Sequence, residues 1–203
     1  MKIEFYDPFD NENLQYQKDA IESITDIFKG QEVTQTLFGI KSKDIVGVEQ
    51  IEKGIGNRLI LSEDELLKNI QEIQKRNIKK GQAIEITNSI DKNNLNFSVE
   101  METGTGKTYV FLRTIFELNK KYGFKKFIIV VPSIAIKEGV KKNLDITKKH
   151  FATLYDNTPY NYFIYDSNKL NQINEFVRSD DIEIMIINID AFNKSQNKIN
   201  QPQ

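Results

Sequence analysis

The chain has 203 residues, with 28 Lys and Arg against 29 Asp and Glu, a net charge of −1 and 39% hydrophobic content. That is the make-up of one folded domain, or one domain with an insertion, and it excludes wholesale disorder. The lack of Cys removes disulfide scaffolds, zinc ribbons, thiol nucleophiles and iron–sulfur clusters, and a lone His150 removes histidine-based metal sites.

The opening MKIEFYDPFD is acidic and has no apolar core of the secretory type. Apolar runs such as Phe127 to Val131 are too short to span a bilayer, so a soluble, cytoplasmic protein without membrane contact is expected. Near-neutral charge argues against bulk attraction to nucleic acid and leaves room for a local basic strip.

In chain order, Leu14, Ala20, Ile21, Ile24, Ile27 and Phe28 recur at helical spacing, and Gly30 closes that helix. Residues 31–62 show short apolar pieces with scattered Gly, read as two or three short strands or a loop-rich insertion. Ser62 followed by Glu63, Asp64 and Glu65 starts a helix with a capping box, which runs to about Asn77 before Gly81. From Ala83 the period becomes two: Ile84, Ile86 and Ile90, a turn at Asp91–Asn94, then Leu95, Phe97 and Val99 predict a hairpin or two successive strands, the last ending at Met101. A helix follows from Lys107 to Tyr122, then a strand at Lys126–Val131 and a helix from Pro132-Ser133 to about Lys149. A strand at Tyr162–Tyr165, a helix at Lys169–Val177 and a strand at Ile182–Ile189 complete the pattern. Apolar strands alternating with helices predict an α/β fold, a parallel sheet covered by helices on both faces. The division expected is 1–30 as the N-terminal helix, 31–82 as an insertion, 83–192 as the core and 193–203 as a polar tail.

The strongest motif is Met101-Glu102-Thr103-Gly104-Thr105-Gly106-Lys107-Thr108, placed between an apolar strand carrying Phe97, Val99 and Met101 and a long helix. Its glycines let backbone N–H groups approach phosphate oxygens, and the helix start adds its dipole. Thr103 to Thr108 are thus the candidate nucleotide ligands. Lys107 is placed between the β- and γ-phosphates, and the Thr108 hydroxyl is placed on Mg²⁺. Met101 departs from the general pattern, which asks for Gly or Ala there.

The spelling TGTGKT resembles that of superfamily 2 helicases and translocases, and Leu14-Gln15-Tyr16-Gln17 resembles their Q motif. A Gln amide can pair with the N7/N6 edge of adenine and so select ATP, with Gln17 the stronger candidate and Gln15 the lesser. Phe127–Ser133 resembles motif Ia, whose following loop grips a nucleic-acid backbone. Pro132, Ser133, Lys137 and Lys141, with Lys142, are the candidate DNA contacts. Lys120, Lys121, Lys125 and Lys126 are read as structural.

The block METGTGKTYVFLRTIFELNKKYGFKKFIIVVPSIAIKEGV, with NIDAFNK downstream, resembles the Res subunit of type III restriction–modification enzymes. The resemblance implies a RecA-like domain that binds ATP and Mg²⁺, acts on double-stranded DNA, and works with a Mod methyltransferase subunit and a nuclease domain. Nothing is carried over for 31–82. No Asp-Glu pair follows an apolar strand, so an N-terminal fragment cut before motif II, inactive by itself, is the expectation. Two other readings stay open: another superfamily 2 helicase or type I restriction motor, and a docking module with a vestigial phosphate loop.

Overall fold

The computed structural model describes residues 5–33, 35–43 and 49–193. The chain groups into two compact units, one of residues 1–33 and 59–122, the other of 34–58 and 123–203. Each unit is assembled from two separate stretches of chain.

The first unit is built on three helices. Helix α1 (Gln15–Thr25) is flanked by short 3₁₀ turns at Glu12–Leu14 and Asp26–Phe28, so the expected single helix is present with tightened ends. Helix α2 (Glu63–Lys79) begins at the Ser62–Glu65 capping box, with both reciprocal bonds formed. Helix α3 (Lys107–Tyr122) is the most buried of the three. Ala20 and Ile21 of α1 meet Val110 of α3, with Phe9 and Met101 at the margin. Leu66, Ile70 and Ile73 of α2 form a second core with Ile27 and Leu61. Asn69, buried among them, donates to the carbonyls of Ile27 at 3.0 Å and Lys29 at 2.8 Å, closing the open end of the preceding turn.

The strands expected between Ala83 and Met101 are absent: this segment runs as an irregular strap. The turn Asp91–Asn94 is present. Side chains take the place of a ladder. Gln71 donates to the Thr87 carbonyl at 2.9 Å, and Gln74 accepts the Thr87 N–H at 2.9 Å. Ile90 and Leu95 lean on the α1–α2 core, while Phe97 and Val99 stay 41% and 42% exposed. The alternation is real, but the backbone groups find helix side chains instead of a neighbouring strand.

The second unit carries the sheet. β1 (Gln35–Lys43) and β2 (Glu49–Asn57) form an antiparallel hairpin. β3 (Lys126–Val131), β4 (Tyr160–Ile164) and β5 (Ile182–Asn188) form a parallel sheet in the order β3-β5-β4. Helix α4 (Ile134–Leu154) packs on β3 and β5, and α5 (Leu170–Arg178) packs on β5 and β2. Ile182 to Ile187 of the central strand are all buried, as a strand covered on both faces requires, and the one charged residue among them, Glu183, accepts from Asn161 Nδ2 at 2.8 Å. Coverage is less complete on β3, where Ile128 and Val130 are 51% and 48% exposed. A short helix α6 (Ile189–Asn193) follows β5, where sequence gave no helical signal. Beyond Asn193, the expected polar tail lies outside the described residues. Among the described residues no helix is long and apolar enough to cross a membrane.

Candidate nucleotide site and basic strip

Gly104 and Gly106 have φ of +83° and +86°, while Thr105 between them does not enter the positive region. Alternating backbone signs of this kind curl successive N–H groups toward one side, and only glycine accepts the positive values without strain. The Val110 N–H then bonds to the Gly106 carbonyl at 3.0 Å, starting α3 directly from the loop. Lys107 is the first helical residue and Thr108 the second. The Thr105 hydroxyl donates to the Glu102 carbonyl at 2.6 Å, and Lys107 Nζ donates to the carbonyls of Met101 at 2.9 Å and Glu102 at 2.8 Å. The loop is therefore a closed turn around the ammonium, with Thr103 and Gly104 exposed at its tip.

Gln17 joins this loop from α1. It is only 7% exposed, and its Nε2 donates to the Thr105 carbonyl at 2.9 Å and more weakly to Tyr16 Oη at 3.4 Å. Gln15 instead donates to Asp19 Oδ1 at 2.7 Å on the exposed side of the same helix. Of the two glutamines, the fold brings Gln17 to the glycine loop.

Beside them lies a cleft of about 840 Å³ bounded in part by Tyr16, Asp19, Glu102 and Thr105. Burial alone would raise the Asp19 carboxyl, but bonds from Lys80 (2.6 Å) and Gln15 outweigh it and hold the group below its ordinary value. A second polar cluster buttresses α3 from behind. Buried Arg113 pairs with Asp7 at 3.1 Å and Glu117 at 3.6 Å, its guanidinium lying 5.3 Å from the centre of the Phe9 ring. Phe5 stacks on Tyr109 at 6.3 Å, and burial pushes the Tyr109 hydroxyl up to about 12. The pairings Asp19–Lys80 and Asp7–Arg113 were not picked out from sequence, because the partners lie 61 and 106 residues apart in the chain.

Pro132, Ser133, Lys137 and Lys141 lie together in the second unit, at the end of β3 and along the first turns of α4. The Ser133 hydroxyl caps the helix by accepting from the Ile136 N–H at 3.3 Å, which leaves its own proton to donate. Lys137 and Lys141 are spaced i, i+4 on one flank, with Lys141 exposed. Three of the four lysines read as structural are held by protein groups: Lys121 donates to Thr25 Oγ1 at 3.0 Å, Lys125 pairs with Asp180 at 2.6 Å, and Lys126 donates to the Ser179 carbonyl at 2.5 Å.

A glycine turn followed by Lys and Thr at the start of a long helix, in an α/β chain with a parallel sheet, is the pattern of the P-loop class of proteins. Residues 11–203 match the family model described as "Type III restriction enzyme, res subunit", so the chain belongs to that family. It is 34% identical over 155 residues to the type III restriction-modification enzyme EcoPI Res subunit of Escherichia phage P1, which covers 75% of this chain and 14% of that protein. It is 37% identical over 145 residues to the EcoP15I Res subunit of Escherichia coli, covering 70% and 14% respectively. A shorter stretch of 65 residues is 52% identical to the StyLTI Res subunit of Salmonella typhimurium, 31% of this chain and 7% of that protein. The chain thus spans about a seventh of the first two relatives it matches.

Proposed function

We propose that these residues form the ATP-binding part of a DNA-dependent ATPase and translocase, the Res subunit of a type III restriction endonuclease. The observation that carries this reading is the loop itself: alternating glycine geometry at Gly104 and Gly106, with Lys107 and Thr108 opening α3. Its donors are backbone N–H groups, an ammonium and a helix start, a set suited to an anion of high charge. A RecA-like arrangement is supported by the parallel β3-β5-β4 sheet and by the family match.

In this reading Lys107 leaves the Met101 and Glu102 carbonyls to take the β- and γ-phosphates. The N–H groups from Gly104 to Lys107 hold the phosphate oxygens. Gln17 meets the adenine edge, and Thr108 supplies a hydroxyl ligand to Mg²⁺. Mg²⁺ held through Thr108 would supply neutralisation of the charge on the phosphates. Hydrolysis also needs a carboxylate to orient water.

The DNA backbone is assigned to Pro132, Ser133, Lys137 and Lys141, which combine a helix start with two side chains on one flank. Recognition of the DNA sequence by a Mod methyltransferase, cleavage by a nuclease domain and a cytoplasmic location complete the proposal. Nucleotide binding by the full chain, compared with its Lys107→Ala variant, tests the assignment.

A further inference from the structure

We propose that Gln17 is a positioning residue of the phosphate loop as well as a reader of the base, so that base recognition and phosphate grip run through one amide. The inference deepens the nucleotide reading above and rests on it. The Thr105 carbonyl and the Gly106 N–H belong to one planar trans peptide, so they point in opposite directions. By donating to the Thr105 oxygen at 2.9 Å, Gln17 draws that carbonyl toward α1 and turns the Gly106 N–H away from it. The orientation of a phosphate-binding donor is thereby set from 88 residues upstream.

The packing is built around this approach. A Cβ on Gly106 would lie 2.6 Å from Gln17 Nε2, so the amide reaches the loop because residue 106 has no side chain. Gln17 sits on the buried face of α1 with Ala20 and Ile21, which restricts where its amide can go. A buried amide that lost its acceptor would carry an uncompensated desolvation cost, which favours this geometry over alternatives. The side chain still has capacity for a base. Its second Nε2 proton makes only the long 3.4 Å contact to Tyr16 Oη, and among the described residues nothing donates to its Oε1. One proton and one acceptor on the same amide are what the N7/N6 edge of adenine requires.

A pure base reader and a positioning residue differ on a ligand without a base. The test measures binding of Mg²⁺-tripolyphosphate and of MgATP to the full chain, wild type and Gln17→Leu, with thermal melts alongside. The expected result is a roughly three- to tenfold loss of tripolyphosphate affinity in Gln17→Leu and a larger loss for ATP, at little change in melting temperature. Gln17→Met, unbranched and of similar length, replaces it should the Leu variant fail to fold. Unchanged tripolyphosphate affinity with weakened ATP binding overturns the positioning role and leaves the nucleotide site standing. A wild-type chain that binds neither ligand overturns both.

Discussion

The side-chain amide of Asn57 pairs with the backbone of Lys126 as a neighbouring strand would, Oδ1 accepting the Lys126 N–H at 3.1 Å and Nδ2 donating to the Lys126 carbonyl at 2.7 Å. Oδ1 also accepts the Lys125 N–H at 2.7 Å. One side chain at the end of β2 therefore fastens the hairpin to the start of β3, next to the exposed Ile128 and Val130. Asn57→Asp keeps the acceptor but removes the donor to Lys126, and Asn57→Ala removes both. The expected cost is about 1 kcal/mol for the Ala variant and faster hydrogen exchange at the Lys125 and Lys126 amides in particular.

Gly106→Ala meets two obstacles together: a φ of +86° and a Cβ placed 2.6 Å from Gln17 Nε2. The Gln17 end can swing away, so the chain still folds, at about 1–2 kcal/mol for the left-handed backbone. The swing breaks the bond to Thr105, and nucleotide binding falls more than stability does. Denaturant melts and an ATP titration on the same preparation separate the two effects.

Bonds from the Ser62 hydroxyl and N–H hold the Glu65 carboxyl below its ordinary value. A carboxylate lowered in the folded state adds stability above its unfolded value and loses it as pH falls through the folded one. Ser62→Ala removes the cap, costing about 1 kcal/mol near neutral pH. In acid the gap narrows but does not close, because the Glu65 carboxylate bonds are lost while the Ser62 hydroxyl still accepts the Glu65 N–H. Urea midpoints measured near neutrality and at about pH 3 check the narrowing.

If Lys141 neutralises a phosphate, Lys141→Ala weakens DNA binding alike on unrelated duplexes and lowers the slope of log affinity against log salt by roughly 0.9. Lys137→Ala behaves likewise, whereas Lys125→Ala, whose ammonium is paired with Asp180, leaves the slope unchanged. Affinity measured at several salt concentrations provides the check.

Features written in neighbouring residues were legible in the sequence. The Ser62–Glu65 box, the glycine loop opening α3, the helix opening at Ser133 and the apolar strand β3 each depend on contacts within a few positions. The strap from Ala83 to Met101 was not, because alternation shows that one side is apolar without showing who pairs with it. Here Gln71 and Gln74 bond to Thr87 where a strand was expected. α6 is too short to display a helical period. At the site, the loop could be read from its spelling, and Gln17 from a resemblance. That Gln17 holds the loop, and that Arg113 is buried against Asp7, 106 residues away, depends on folding contacts no local pattern encodes.

The central claim is that the Thr103–Thr108 loop binds ATP with Mg²⁺. Titration of the full chain with a fluorescent ATP analogue, with and without Mg²⁺, beside Lys107→Ala, tests it most directly. The account predicts saturable, Mg²⁺-dependent binding that weakens at least about tenfold in the variant, as loss of a charge-assisted contact requires. No Mg²⁺-dependent binding by the wild-type chain, or equal binding by Lys107→Ala, would contradict it.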